Sequence, residues 1–163
     1  MFIQELANRL QELIELHQQL LLIADKKKES LLKQDIKTLQ ATVRDESKVI
    51  RGIQLSEANR IKAVRSLLLS LQVPPVKDTL SYVLEHVSGE EKIQLTDLTH
   101  ELADVLSTVK MVNEQNQQLI QDALQYVHVS LDVLTPSAED FQYNAKHQEL
   151  EKNSSYSLFD SKA

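Results

Sequence analysis

The sequence predicts an all-α fold, and three observations support this prediction. Glycine and proline are rare, with two glycines and three prolines among 163 residues, whereas sheets and phosphate-binding loops need glycine at their turns. Aromatic residues, which strands favour, make up only 4% of the chain. Apolar residues recur at spacings of three and four, the period of helices that bury one face. We therefore expect an elongated antiparallel three-helix bundle or coiled coil with a short connecting helix and a flexible C-terminal tail.

The first helix is predicted over about residues 2–33. Its apolar seam follows steps of three and four without interruption, as in a coiled coil or a long bundle helix. We expect His17 to pack at the edge of the core, and Lys27 to lay its aliphatic part along the bundle with its charge in water. The seam consists of Ile3, Leu6, Leu10, Leu13, His17, Leu20, Ala24, Lys27 and Leu31.

The second helix is predicted over about residues 35–71, with Asp35 as its N-cap. Glu46, Glu57 and Arg60 also fall on its seam, so we expect the middle of this helix to be loosely covered. The apolar seam residues are Ile36, Leu39, Val43, Ile50, Ile53, Val64, Leu67 and Leu71.

A third long helix is predicted over about residues 88–134, preceded by a short helix over 78–87. Pro74 and Pro75 separate the short helix from helix two, and Pro136 ends the long one. Short connections make consecutive helices antiparallel, so the bundle runs up, down and up over residues 1–134.

Residues 135–163 are predicted to form a flexible tail, because serine, asparagine and mixed charges replace the periodic leucines there. Four aromatic residues in this tail suggest short linear contacts with a partner. They are Phe141, Tyr143, Tyr156 and Phe159.

The end of the long helix carries more apolar surface than one bundle face can cover. Up to Gln118 its apolar arc spans roughly 120°, and beyond it a second row widens the arc to roughly 220°. Helix one should be about 50 Å long and this helix about 70 Å, so we expect its last turns to overhang. The core arc comprises Leu95, Leu98, Leu102, Val105, Leu106, Val109 and Val112, continued by Ile120, Ala123, Leu124, Val127, Leu131 and Leu134. The second row comprises Leu119, Tyr126, Val129 and Val133.

We expect this surplus surface to receive the apolar face of a partner helix. The predicted contacts are Leu119, Ile120, Ala123, Tyr126, Val127, Val129, Leu131 and Val133. The alternative is that the short helix or the tail covers this surface within the chain. Asn113 and Asn116 fall on the core arc, where they fix helix register or else bind the backbone of the partner at the end of the groove.

Composition excludes several classes of protein. A net charge of −6 argues against a nucleic-acid binder, which needs a basic surface. The absence of cysteine excludes disulfides and thiolate metal sites and fits a cytoplasmic protein. No stretch is apolar enough for a signal peptide or a bilayer span, so we expect no stable membrane insertion.

We find no pattern of catalytic residues and expect a protein that is not an enzyme, without cofactor or metal. Asp97 and His100 form one i, i+3 pair, whereas a carboxylate-bridged bundle needs such pairs from two helices. Neither His86 nor His100 precedes the small, basic, glycine-containing turn expected of a phosphotransfer histidine.

Four features occur in order near the C-terminal end: an N-x-x-N step at Asn113 and Asn116, a leucine-rich run to Leu134, Pro136, and an aromatic element from Phe141 to Tyr143. In these features the chain resembles the FlgN-like family of flagellar type III export chaperones. The segment KKKESLLKQDIKTLQATV is also similar to the first hairpin of the family, where a glycine often stands at the place of Gln34.

The resemblance implies a cytoplasmic chaperone, a monomer or weak dimer. It would bind the C-terminal amphipathic segments of hook-associated (hook-filament junction) proteins, prevent their premature assembly and deliver them to the export apparatus. Partners would include the export gate and components of the ATPase complex, with Tyr143 at the gate. Asn144 stands where many members have a glycine-containing turn. The alternative function is a structural coiled-coil subunit of a larger assembly.

Overall fold

A computed structural model describes residues 1–134, which form four helices and contain no strand. The all-α fold class is confirmed. The helices are α1 (Phe2–Leu32), α2 (Ile36–Ser70), α3 (Leu80–His86) and α4 (Gly89–Leu134). The chain divides into two units, one over Met1–Ile120 and a second that begins at Gln121. The predicted tail lies outside the described residues.

Helices α1 and α2 pack against each other in antiparallel orientation. Lys27, near the end of α1, contacts Glu46 in the first half of α2, with 2.6 Å between Nζ and Oε1. Leu16, in the middle of α1, lies opposite Gly52, where a Cβ atom would stand 3.4 Å from the Leu16 side chain. Residue numbers therefore rise along one helix as they fall along the other.

The part of α4 within the first unit runs parallel to α1. Ala7 and Leu98 line the same groove near the beginning of both helices. Further along, the side chain of Asn116 donates a hydrogen bond to the backbone carbonyl of Ala24. Within residues 1–120 the long helices therefore follow the predicted up-down-up order.

The core of the first unit takes apolar residues from all four helices. Its buried members are Leu6, Ala7, Leu10, Leu13, Ile14, Ala63, Val64, Leu67, Leu68, Val83, Val87, Leu95 and Leu102. His17 is buried beside this core, with its Nδ1 atom 2.7 Å from the carbonyl oxygen of Leu13, which confirms its predicted place on the α1 seam. The core thus accounts for the 3,4 spacing of α1.

The seam predicted for α2 is only partly correct. Its members Leu39, Glu46 and Ile53 are half-buried, but Ile36, Val43 and Ile50 are exposed. Thr42 and Ser56, which lie off the seam, are buried instead. The buried side of α2 is therefore rotated away from the apolar row, and Glu46 on the buried side binds Lys27.

The prediction that the charge of Lys27 lies in water is also wrong. The Lys27 ammonium and the Glu46 carboxylate form an ion pair, and both side chains are largely buried. A charge removed from water needs a partner of opposite charge, and Lys27 and Glu46 serve as partners for each other. The pair therefore fixes the position of α2 along α1 more than it adds stability.

Helix α1 ends in a Schellman motif with Gln34 in the left-handed conformation, at φ 56°. The N–H of Asp35 donates to the carbonyl of Ser30 at 2.9 Å, and the N–H of Gln34 donates to Leu31 at 3.2 Å. These bonds satisfy carbonyls that the helix end leaves free. Asp35 then caps α2 by accepting from the Thr38 N–H at 3.0 Å, and hydrogen bonds from Thr38 lower the pKa of the Asp35 carboxyl.

Helix α2 ends in the same motif, with Gln72 at φ 58°. The N–H of Val73 donates to the carbonyl of Leu68 at 2.9 Å, and Val73 packs against the core. The connection to α3 is held by Arg65, whose two nitrogens donate to the Asp78 carboxylate at 2.9 and 2.6 Å. These hydrogen bonds are the largest cause of the lowered pKa of Asp78.

We expect Gln34→Gly and Gln72→Gly each to stabilise the fold by about 0.5–1 kcal/mol. A residue with a Cβ atom is strained in the left-handed region, and glycine relieves that strain at some cost in chain entropy. The control is Gln54→Gly, in the exposed interior of α2, which should destabilise by about 1 kcal/mol. Urea unfolding followed by circular dichroism measures all three, and equal losses would contradict the assignment of the two motifs.

Candidate functional site

The described part of the second unit, residues 121–134, exposes its apolar side chains around the helix. Tyr126 and Val133 are 74% and 79% exposed, and Val127, on the predicted core arc, is 50% exposed. We call the predicted contact residues of this segment the α4 terminal surface. It consists of Ala123, Tyr126, Val127, Val129, Leu131 and Val133.

Leu124 and Leu134 are also exposed in this segment, although they were not among the predicted contacts. A cluster of exposed apolar residues on one short helical stretch is the usual sign of a binding surface for another polypeptide. Amphipathic helices recognise such surfaces with apolar residues spaced three and four apart. The exposed side chains of this segment can thus bind the apolar face of a partner helix.

The electrostatic environment of this segment is acidic. Between Met111 and Leu134 the charged residues are Glu114, Asp122 and Asp132, and the stretch contains no lysine or arginine. A partner that carries basic residues beside its apolar face would therefore be attracted, most strongly at low ionic strength.

Leu119 and Ile120 belong to the first unit and differ from each other. Leu119 is half-buried and lines a cavity of about 330 Å³ together with Lys28, Leu32 and Gln115, whereas Ile120 is exposed. The amide oxygen of Gln115 accepts a hydrogen bond from Lys28 at 2.8 Å. The prediction therefore missed the contribution of α1 to this cavity. The available signal was Leu32, a leucine off the α1 seam in the last turn of the helix.

The two asparagines occupy different environments. Asn116 is buried and donates through Nδ2 to the carbonyl of Ala24 at 2.8 Å. Asn113 is half-buried, and the Oδ1 atoms of both residues are buried without a hydrogen-bond partner in the described part of the chain. The bond to α1 gives Asn116 a structural position, while the partner-binding role of either side chain stays a prediction.

The remaining predicted contacts, Phe141 and Tyr143, lie outside the described residues. Among residues 1–134, no group of three or more histidine and acidic side chains is placed to hold a metal ion. Asp97 and His100 are both exposed on α4. None of the four described helices combines the length and the apolar character that crossing a bilayer requires.

Comparison with known proteins identifies relatives over nearly the whole chain. A family model described as FlgN protein matches residues 1–151. The chain is also similar to a protein of Bacillus subtilis (strain 168) described as uncharacterized protein YvyG, with 37% identity over 156 residues and 95% of each chain covered. No solved structure matches the chain significantly.

We expect Asn116→Ala to lower the free energy of unfolding by about 1–3 kcal/mol. The substitution removes a buried hydrogen bond between α4 and α1 and leaves a small cavity. The neighbouring exposed substitution Gln117→Ala is the control and should change stability by less than about 0.5 kcal/mol. Urea unfolding compares the two, and a loss of partner binding by Asn116→Ala without a loss of stability would show that the structural assignment is wrong.

Proposed function

The chain belongs to the FlgN family of flagellar export chaperones, and on that premise we propose that it binds the C-terminal amphipathic segments of hook-associated proteins. It holds these clients before assembly and delivers them to the flagellar type III export apparatus. Family membership supports the chaperone class. The client segments, the site and the delivery step are our proposal.

The observation that carries the proposal is the exposure of the α4 terminal surface. A helix that serves only the bundle core needs no apolar residues beyond the end of the core. Helix α4 nevertheless carries exposed apolar residues as far as Leu134. Burying one Val or Leu side chain contributes about 1.5–3 kcal/mol. Several such anchors supply enough to offset the cost of association and leave weak to moderate affinity, as a chaperone that must release its client requires.

An amphipathic client helix explains why the surface is apolar on more than one side. The client buries its own apolar face against Tyr126, Val129 and Val133, and the neighbouring Val127 and Leu131 widen the contact. While bound, that face cannot pair with other subunits of the same kind. Binding therefore prevents premature assembly without any catalytic step.

Delivery would use the residues that follow α4. By resemblance to the family, we propose that Tyr143 contacts the export gate and that components of the ATPase complex also act as partners. Phe141 is proposed as a further partner contact. Asn144 follows Tyr143 where many members have a glycine-containing turn. We propose that these contacts are made in the cytoplasm.

The test is a calorimetric titration of the full chain with the C-terminal segment of a hook-associated protein. We expect Val129→Asp with Val133→Asp to weaken binding by at least about tenfold, because two buried anchors become charges that must be desolvated. Helicity and the unfolding midpoint should not change, since both side chains are exposed. The matched control is Leu55→Asp with Leu69→Asp, two exposed leucines of α2, which should leave binding intact.

Two results would contradict this assignment. If Val129→Asp with Val133→Asp binds the segment as tightly as the unsubstituted chain, the docking surface lies elsewhere. If that variant unfolds, these side chains belong to a core rather than to a binding surface.

A further inference from the structure

Helix α2 carries a second exposed apolar surface that the proposed function does not use. Ile36, Val43 and Ile50 are 62%, 46% and 40% exposed. Their seven-residue spacing places them in one row along the helix, with a drift of only about 20° per step. Rows of this kind form the contact line of paired helices. We call these three residues the α2 row.

A row of cations lies beside the α2 row. Lys37, Arg44 and Arg51 each follow a member of the α2 row by one position, and all three are exposed. Within residues 1–134 no ion pair neutralises them, although Arg51 Nε donates to the carbonyl of Ser47 at 3.2 Å. The α2 row therefore fits an apolar helix that carries acidic residues.

The α4 terminal surface has that chemistry. It lies in the segment 121–134, which contains the exposed Asp132 and neither lysine nor arginine. The segment 121–134 and the stretch of α2 from Ile36 to Ile50 have nearly the same length, about 20 Å. Apolar contacts and opposite charges thus match between two surfaces of one polypeptide, and both are exposed in the single chain.

We propose that the α4 terminal surface of one copy docks on the α2 row of a second copy. Each copy carries both surfaces, so the same contact can be made twice in a two-fold dimer. One helical segment on another buries less than a stable interface requires, so two reciprocal contacts are needed for an association of moderate strength. The charges add a contribution that falls as salt rises.

Self-association has a consequence that rests on the proposed function. A second copy and a client segment compete for the α4 terminal surface. At high chaperone concentration the dimer shields this surface from nonspecific contacts, and a client segment displaces the second copy. We therefore expect the dimer to dissociate when a client segment is added.

Sedimentation equilibrium of the full chain tests the proposal over a wide range of protein and salt concentrations. We expect a monomer–dimer equilibrium that weakens with salt. Arg44→Glu should weaken dimerisation about fivefold, because at each contact it replaces attraction to the acidic segment with repulsion. Val43→Asp should weaken dimerisation more strongly. Arg44→Glu combined with Asp132→Lys should restore part of the loss, because it again places opposite charges on the α2 row and on the segment 121–134. The matched control is Lys62→Glu, an exposed cation of α2 outside the row.

A chain that stays monomeric at every concentration, or a dimer that is indifferent to Arg44→Glu and to Val43→Asp, would overturn the proposal. A dimer weakened equally by Lys62→Glu would also overturn it, because net charge rather than the α2 row would then be responsible. The proposed function is tested separately by titrating Arg44→Glu with the client segment. That variant should bind the client normally whether or not the wild-type chain dimerises.

Discussion

The hydrogen bond from the Asn116 side chain to the carbonyl of Ala24 is where the buried face of α4 ends. It is the last point along α4 at which a fully buried side chain is found in the described chain. The buried amide holds α4 against α1 at the level of Ala24, because breaking this bond would leave a buried donor unpaired. The position of α4 along α1 in turn determines which residues of α4 are buried in the core and which stay exposed for a partner.

A second constraint acts on the other helical pair. The ion pair between Lys27 and Glu46 sets how α2 is rotated against α1, and small polar residues such as Thr42 accompany it on the inner side. The apolar row of α2 is thereby turned outward. Polar contacts inside the first unit thus leave apolar surface on the outside, where another polypeptide can bind it.

Helical period and turn residues made the fold class, the α1 seam and the Asp35 cap predictable from the sequence. The rotation of α2 was not, because apolar spacing cannot reveal that Glu46 faces a lysine nineteen residues earlier in the chain. The surplus surface on α4, with Val127 and Leu131 in it, was predicted from the excessive apolar arc of the helix. The exposure of Leu124 and Leu134 was not predicted, because both continue the core arc in sequence.

The central claim is that the α4 terminal surface is open in the free chaperone and closed by its client. The chain lacks cysteine, so the substitution Val129→Cys introduces a single thiol into this surface. The rate at which that thiol reacts with a thiol reagent reports how accessible the surface is. The rate is measured at a protein concentration where the chain is monomeric. We expect a rate close to that of an unhindered thiol, slowed at least about tenfold by a client segment at saturation. A cysteine at Leu55 on α2 should react at the same rate with or without client. Slow reaction of the Val129 cysteine in the free chain, or a rate that client does not change, would contradict the claim.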